Sequence, residues 1–414
     1  MHIAIIGTGI SGLVAAYLLA PDHDLTLYEA DSRLGGHTHT VDVRAPSGEY
    51  AIDTGFIVFN DWTYPNFIKL MDRLDVAWQY CDMSFGVRCD RTGLEYCATS
   101  LNALFAQRRN LIRPSFHHLI ADILRFGRRA PDLLKSSDHT TTLGEYLLRE
   151  GYSRSFIDQY LIPMGAAVWS SGTGPFQDFP ARFLVEFFNN HGMLNVRHQP
   201  RWRVIRGGSR SYLGPLTQRY SERIRLNCPI EAVRRETGGV WVRPRGEREV
   251  KFDAVILACH SDQALRLLSD PSEAETSILS AMPYRENDTV LHTDAEILPR
   301  NRRAWASWNY RMSDGHTDRA SVTYCMNRLQ GLAAPETFCV TLNRAESLNP
   351  TAILRRMTYH HPVYTTAGVA ARSRRAEISG VRNTWYCGAY WGYGFHEDGV
   401  NSALAACKDF GKRL

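Results

Sequence analysis

Lysine is nearly missing from this chain. Of 48 basic side chains only Lys69, Lys135, Lys251, Lys408 and Lys412 are lysines. Genome base composition produces such a bias too, so it is not read as function. Paired cysteines are missing as well: the nine cysteines stand singly, with no Cys-x-x-Cys and an odd total. That excludes a disulfide framework and a structural zinc, and implies reduced thiols in a cytoplasmic protein. No apolar run reaches the ~18 residues of a membrane span. The chain enters a strand directly, so no signal peptide is expected. The net charge of +5 is mild and makes no case for nucleic acid. His37 and His39 lack a third ligand at a convincing spacing, so no metal is expected. What remains is a 414-residue chain of ordinary hydrophobic content, 44%, long enough for one large α/β domain and a second lobe.

What is present is concentrated at the two ends. Residues 2–6 read HIAII, a β-branched apolar run, followed by Gly7-Thr8-Gly9-Ile10-Ser11-Gly12 and then LVAAYLL. This is strand, glycine-rich turn, helix. Gly7 permits the tight turn, Gly9 lets a pyrophosphate approach the backbone, and Gly12 lets the helix pack on the strand. The helix start then offers unpaired N–H groups to phosphate. A second strand ends at Glu29, at the spacing of an acid that binds a ribose hydroxyl. Next comes Arg33-Leu34-Gly35-Gly36-His37-Thr38. This doublet resembles the second phosphate-contact loop of FAD enzymes of the glutathione-reductase-like superfamily. No further Gly-x-Gly-x-x-Gly follows a strand, and Gly207-Gly208 does not supply one, so no NAD(P)H domain is expected.

Between the ends, residues 40–43 and 50–53 suit a hairpin, and Gly55-Phe56 suits a segment against a flavin ring or a core strand with a bend. Residues 101–134 read as helices broken near Pro114 and Pro131. They carry Arg108, Arg109, Arg113, Arg125, Arg128 and Arg129 among apolar residues. This is either a solvated helix face or an amphipathic surface that touches anionic lipid, peripheral at the inner membrane face. Thr142 and Glu145 form a capping box. The aromatic stretch 176–188 is a core stripe or a wall for an apolar substrate. Residues 252–258 read as a buried strand returning to the nucleotide sheet, and 284–340 as a mixed or antiparallel sheet. The fold class is therefore α/β: a discontinuous Rossmann-like domain (1–80, 195–265 and 380–414) with a mixed-sheet plus helical substrate lobe (81–194 and 266–379).

The C-terminal stretch CGAYWGYGFHEDGVNSAL reads as a strand end at Gly388, an aromatic glycine-rich loop, and a helix opening near Gly399. A helix start there favours negative charge on a reduced flavin. His396 and Glu397 are candidates for a base or orienting pair. Tyr390, Trp391, Tyr393 and Phe395 would wall the substrate.

Together GTGISGL, Glu29, RLGGHTHTV and CGAYWGYGFHEDGVNSAL resemble the FAD-dependent amine oxidase and phytoene desaturase superfamily. More narrowly, with DTGFIVFN, TYPNF, DMSFGV, YLIPMGAAVWS, AWASWNY and VTYCMNRLQ, the chain resembles a bacterial subfamily of predicted NAD/FAD-binding proteins. That subfamily is similar to the N-terminal module of plant cyclopropane-fatty-acid synthases. The resemblance implies FAD as cofactor, a lipid or fatty-acyl substrate, and a cyclopropane-synthase-like methyltransferase as partner. Carried over by position, Gly7, Gly9, Ile10, Ser11 and Gly12 would bind pyrophosphate and Glu29 ribose. Arg33, Gly35, Gly36, His37 and Thr38 would follow the phosphates and ribityl chain, and Gly55 and Phe56 would lie at the ring. Val233 would meet adenine through its backbone. Gly388, Gly399 and Val400 would hold the ribityl and pyrimidine end. Two positions depart from the pattern. Ala389 stands where many relatives carry an acid, leaving Glu397 or Asp398 to replace it. No lysine matches the one that holds a water near flavin N5 in amine oxidases. The expected activities are dehydrogenation of a lipid chain, isomerisation of its double bond, or non-catalytic presentation of lipid to a methyltransferase, with amine oxidation a weaker fourth.

Overall fold

A computed structural model of the chain describes all residues except 139, 170–176 and 313–320. Phe176, the first residue of the aromatic stretch, lies outside the described residues.

Short β-branched runs build a five-stranded parallel sheet in the order Ile224–Arg225, Asp24–Tyr28, His2–Ile6, Ala254–Leu257, Thr384–Tyr386. Alternate residues of the central strand serve opposite faces, as strand geometry requires. Ile3 and Ile5 pack with helices Ile10–Leu19 and His396–Cys407. Ala4 and Ile6 pack with the antiparallel strands Ile230–Glu236, Gly239–Pro244 and Val250–Phe252. A parallel sheet must be covered on both faces, and this moves the expected domain boundaries. Ile278, Leu279, Met282, Ala371 and Ile378, assigned by sequence to the substrate lobe, belong to the core on the second face of the nucleotide sheet.

The second sheet has seven strands in the order Ile353–Pro362, Tyr284–His292, Cys339–Leu342, Val322–Cys325, Trp308–Met312, Phe85–Cys89, Leu94–Cys97. It is mixed because Trp308–Met312 runs parallel to Phe85–Cys89 while every other neighbouring pair in the sheet is antiparallel. Helices Pro114–Arg129, Leu143–Arg149 and Ala181–Asn190 form the helical part around an aromatic core of Phe116, Phe126, Phe156, Phe183 and Phe187. Pro114 opens its helix at the first position, where a missing N–H costs nothing. The Thr142–Glu145 capping box is formed in both directions.

Candidate functional site: a nucleotide cradle closed from both ends of the chain

The glycine-rich turn follows from local sterics. Gly7 has φ +107°, and a Cβ there would press on the Ala258 carbonyl at 2.6 Å. A Cβ at Gly12 would run into the Gly7 carbonyl, so this glycine sets how closely helix Ile10–Leu19 sits on its strand. Gly9 differs: nothing lies within 4 Å of where its Cβ would be. The helix it precedes has no side-chain cap and no acid in its first turn. A bare helix start beside an open glycine fits a pyrophosphate. The doublet closes over it. Gly35 and Gly36 both have positive φ, the Gly35 N–H donates to the Thr8 carbonyl at 3.0 Å, and Gly36 approaches the Gly9 backbone. His37 leaves a buried Nε2 without a partner among the described residues, a further polar atom for a ligand. Desolvation, with the charges of Arg33 and His360, brings this imidazole down to about 4. Arg33 itself is turned to the Leu34 and Thr38 carbonyls and to Asp31. Phosphate charge would therefore be met mainly by main-chain N–H groups.

Glu29 accepts the Thr8 N–H at 3.0 Å, the Thr8 hydroxyl at 2.5 Å and the Asp31 N–H at 3.0 Å, which fixes the carboxylate at the end of its strand. The chain beside it is Asn227–Cys228, whose N–H groups donate to the Asp31 and Glu29 carbonyls. Val233, expected to meet adenine through its backbone, stands in the strand Ile230–Glu236. It is fully buried within its strand and its carbonyl accepts the Ser269 N–H. The ladder is irregular between Ile230 and Ala232, next to the segment that reaches Glu29.

At the other end the structure corrects several expectations. The C-terminal helix starts at His396, not Gly399. Gly399 lies in its first turn and its N–H is spent on the Phe395 carbonyl. A Cβ there would meet Ile10 at 2.6 Å and Ser11 at 3.0 Å, so Gly399 lets the two helix starts converge. Val400 is core. Glu397 is no base: its two oxygens accept the Asn66 and Phe67 N–H groups at 3.0 and 2.8 Å, capping helix Pro65–Arg73 from outside. Asp398 accepts the Phe395 N–H at 2.9 Å and caps its own helix, and burial pushes its carboxyl up to about 6. His396 stacks on Phe56 at 3.5 Å and 11°, with Nε2 at 3.1 Å from Thr38 Oγ1 and 3.2 Å from the Tyr212 hydroxyl. Burial drives its pKa well below the ordinary value, so the ring is neutral.

The four aromatic residues expected to wall one site split into two pairs. Tyr390 lies against Gly388 and packs with Tyr284 and Trp391 in the core of the nucleotide sheet, 1% exposed. Gly388 donates its N–H to Ser402 Oγ at 2.9 Å. Tyr393 and Phe395 face the helical lobe: Tyr393 stacks on Phe183 at 4.7 Å and Phe395 on Phe187 at 5.2 Å. With Trp169 and Tyr364 they form an aromatic seam that begins beside His396. The five lysines are all elsewhere, bound to Leu414, Asp132 or Asp22, lying over Trp241, or at the chain's end.

The sequence reading missed Asp53. Fully buried, it accepts the Thr40 hydroxyl at 2.6 Å and the Ser209 N–H and hydroxyl, both at 2.8 Å, while its N–H donates to Gln330 of the other sheet's lobe. The signal was the Gly207-Gly208 pair. Gly208 has φ +90° and leaves no room for a Cβ against Thr40, which brings the Ser209 N–H onto the carboxylate.

A family model described as flavin containing amine oxidoreductase matches residues 10–335, and the chain belongs to that family. It is an FAD-dependent oxidoreductase. Among solved structures it is similar to a CLA-producing fatty acid isomerase from P. acnes, at 16% identity and TM-score 0.71 over 99% of this chain and 98% of that one. It is similar to cyclohexylamine oxidase from Brevibacterium oxydans IH-35A at 14% identity and TM-score 0.68, over 99% of both chains. It is also similar to a reduced UDP-galactopyranose mutase at 15% and 0.67, over 99% of this chain and 95% of that one. An isomerase, an oxidase and a mutase on one frame show the fold and leave the reaction to the site.

Proposed function

We propose that this flavoenzyme acts on a C–H of a lipid or fatty-acyl chain. The observation that carries this reading is the aromatic lining beside the ring end of the cradle. His396 is neutral, Glu397 and Asp398 are spent on helix starts, no lysine is near, and the seam of Tyr393, Phe395, Phe183 and Phe187 offers aromatic faces. The Arg372 guanidinium lies 4.6 Å from the centre of the Phe183 ring and 5.8 Å from that of Tyr393, which disfavours an alkylammonium substrate, whereas an acyl chain gains from burial against aromatic rings. Gly7, Gly9, Ser11, Glu29, Gly35 and Gly36 would hold the FAD, which when bound supplies a two-electron hydride acceptor. Phe56 and His396 would fix the chain's approach to it, and the aromatic seam would exclude water.

Dehydrogenation is the first reading, with oxygen or another acceptor taking the electrons. Isomerisation of a double bond, in which the hydride returns to the same chain, is the second. It is favoured by the lack of a second nucleotide motif and by the likeness to a fatty acid isomerase. The resemblance to cyclopropane-synthase modules adds a methyltransferase that makes or consumes the same acyl chain, and the free cysteines suit a cytoplasmic setting.

The test is anaerobic mixing of the flavin-loaded protein with an unsaturated fatty acid or phospholipid, followed by lipid mass spectrometry. Lasting flavin bleaching with a new double bond is the expected result. A shifted double bond with oxidised flavin at the end establishes isomerisation. Binding without turnover leaves a lipid-presenting partner, and bleaching by amines alone overturns the lipid reading.

A further inference from the structure

The whole net charge of the protein resides in one short segment. Between residues 101 and 129 there are six arginines and one acid, Asp122, a net +5 that equals the +5 of the entire chain. Two of these arginines are neutralised: Arg125 pairs with Asp122 at 2.9 Å and Arg129 with Glu150 at 3.8 Å. The other four pair with no acid among the described residues. Arg108 donates to the Phe105 carbonyl and the Asn102 amide oxygen, Arg109 to the Gly93 carbonyl, Arg113 to Ser115 Oγ and Arg128 to the Leu124 carbonyl, all neutral acceptors.

The same segment carries apolar side chains where burial would be expected. Ile112 is 86% exposed and Leu111 52%, both in the turn Arg108–Ile112. The helix that follows, Pro114–Arg129, buries Phe116, Leu119 and Phe126 on its inner face. Its outer stripe is His117, Ala121, Leu124 and Arg128, all exposed and spaced to share one face. His117 Nε2 lies 2.9 Å from the Leu111 carbonyl, which seats the turn at the head of that stripe.

We propose that the turn Arg108–Ile112 and the outer stripe of helix Pro114–Arg129 dock this protein on an anionic lipid bilayer. The helix lies along the headgroups, the four unneutralised arginines meet lipid phosphates, and Leu111 and Ile112 insert at the acyl boundary. Nucleic acid would satisfy the arginines but has no use for an isoleucine held in water. The proposal does not depend on what the flavin site transforms.

Flotation of the flavin-loaded protein with vesicles tests it. Vesicles of phosphatidylcholine alone are compared with vesicles carrying about one third phosphatidylglycerol. Binding at least ~10-fold tighter to the anionic vesicles is expected, and ~1 M salt should abolish most of the difference. The R108Q/R109Q/R113Q variant should lose about 100-fold, and L111S/I112S about 10-fold even at low salt. All these positions are exposed or half-exposed, and flavin absorbance with the thermal melt confirms that the variants fold. Equal binding to both vesicles, or none, overturns the proposal. So does binding that duplex DNA competes away and that L111S/I112S leaves unchanged, which would make this a nucleic-acid surface.

Discussion

The two helix starts that converge on the cradle are built in opposite ways. Helix Ile10–Leu19 begins bare, with no cap and no first-turn acid. Helix His396–Cys407 begins with Glu397 and Asp398 in its first turn, and both carboxylates are already engaged with main-chain N–H groups. A helix start attracts negative charge through its orphan N–H groups and dipole. The first keeps that attraction for a ligand. The second spends its acids inside the protein, fixing its own loop and helix Pro65–Arg73. Two helix starts that meet at Gly399 and Ile10 thus differ in kind: one is left uncapped and the other has its first-turn acids engaged.

The largest effect that tests this contrast comes from two glycines three residues apart. G12A places a methyl group against the Gly7 carbonyl, so the helix must move off the strand. The expected loss is about 4 kcal/mol or more, with no flavin retained. G9A meets nothing within 4 Å and should cost no more than about 1 kcal/mol in the flavin-free melt, yet weaken FAD binding by blocking the phosphate's approach. Thermal melts with and without added FAD, and the flavin-to-protein ratio, check both. Equal destabilisation by the two would remove the distinction between a packing glycine and a ligand glycine.

The second effect separates base from cap. E397Q removes a charged acceptor from the N–H groups of Asn66 and Phe67 and should cost about 2 kcal/mol. Turnover by the flavin-loaded enzyme, and its pH profile, should stay within about threefold of the parent. A general base would instead lose about 100-fold or more. A large loss of kcat with an unchanged melt returns Glu397 to the reaction.

This contrast also explains what the sequence could disclose. Strand, turn, helix and acid in residues 2–29 lie within one supersecondary unit, where spacing alone fixes geometry, and Gly7, Gly12 and Glu29 sit as the pattern requires. The C-terminal stretch was recognisable as part of the cradle, but its roles were not. Glu397 answers N–H groups 330 residues away, and Tyr390 turns from the loop into the sheet core. Such partners are chosen by tertiary packing and leave no periodicity in the chain. Asp53 was hidden for the same reason. Its partners Thr40, Ser209 and Gln330 come from three separate stretches, and only the glycine pair before Ser209 marked the spot.

Asp53 is a third carboxylate at a helix start, since Ser209 opens the short helix Ser209–Tyr212. It sharpens the comparison through pH. Burial pushes its carboxyl from the ordinary 3.8 up to about 6, against the pull of its hydrogen bonds. Between about pH 4 and 6 the folded chain therefore holds a proton that the unfolded chain has released, and this group's contribution to stability falls as pH rises through that window. D53N cannot titrate. The stability of the parent relative to D53N should therefore decline by about 1 to 2 kcal/mol from pH 4 to pH 7, read as the difference between paired denaturant curves. Arg210, bound to Asp42 beside the site, is charged throughout and does not set the slope. A difference that stays flat with pH, or rises, would mean that the donors from Thr40 and Ser209 hold the carboxylate ionised. Asp53 would then be a cap of the same kind as Glu397 and Asp398.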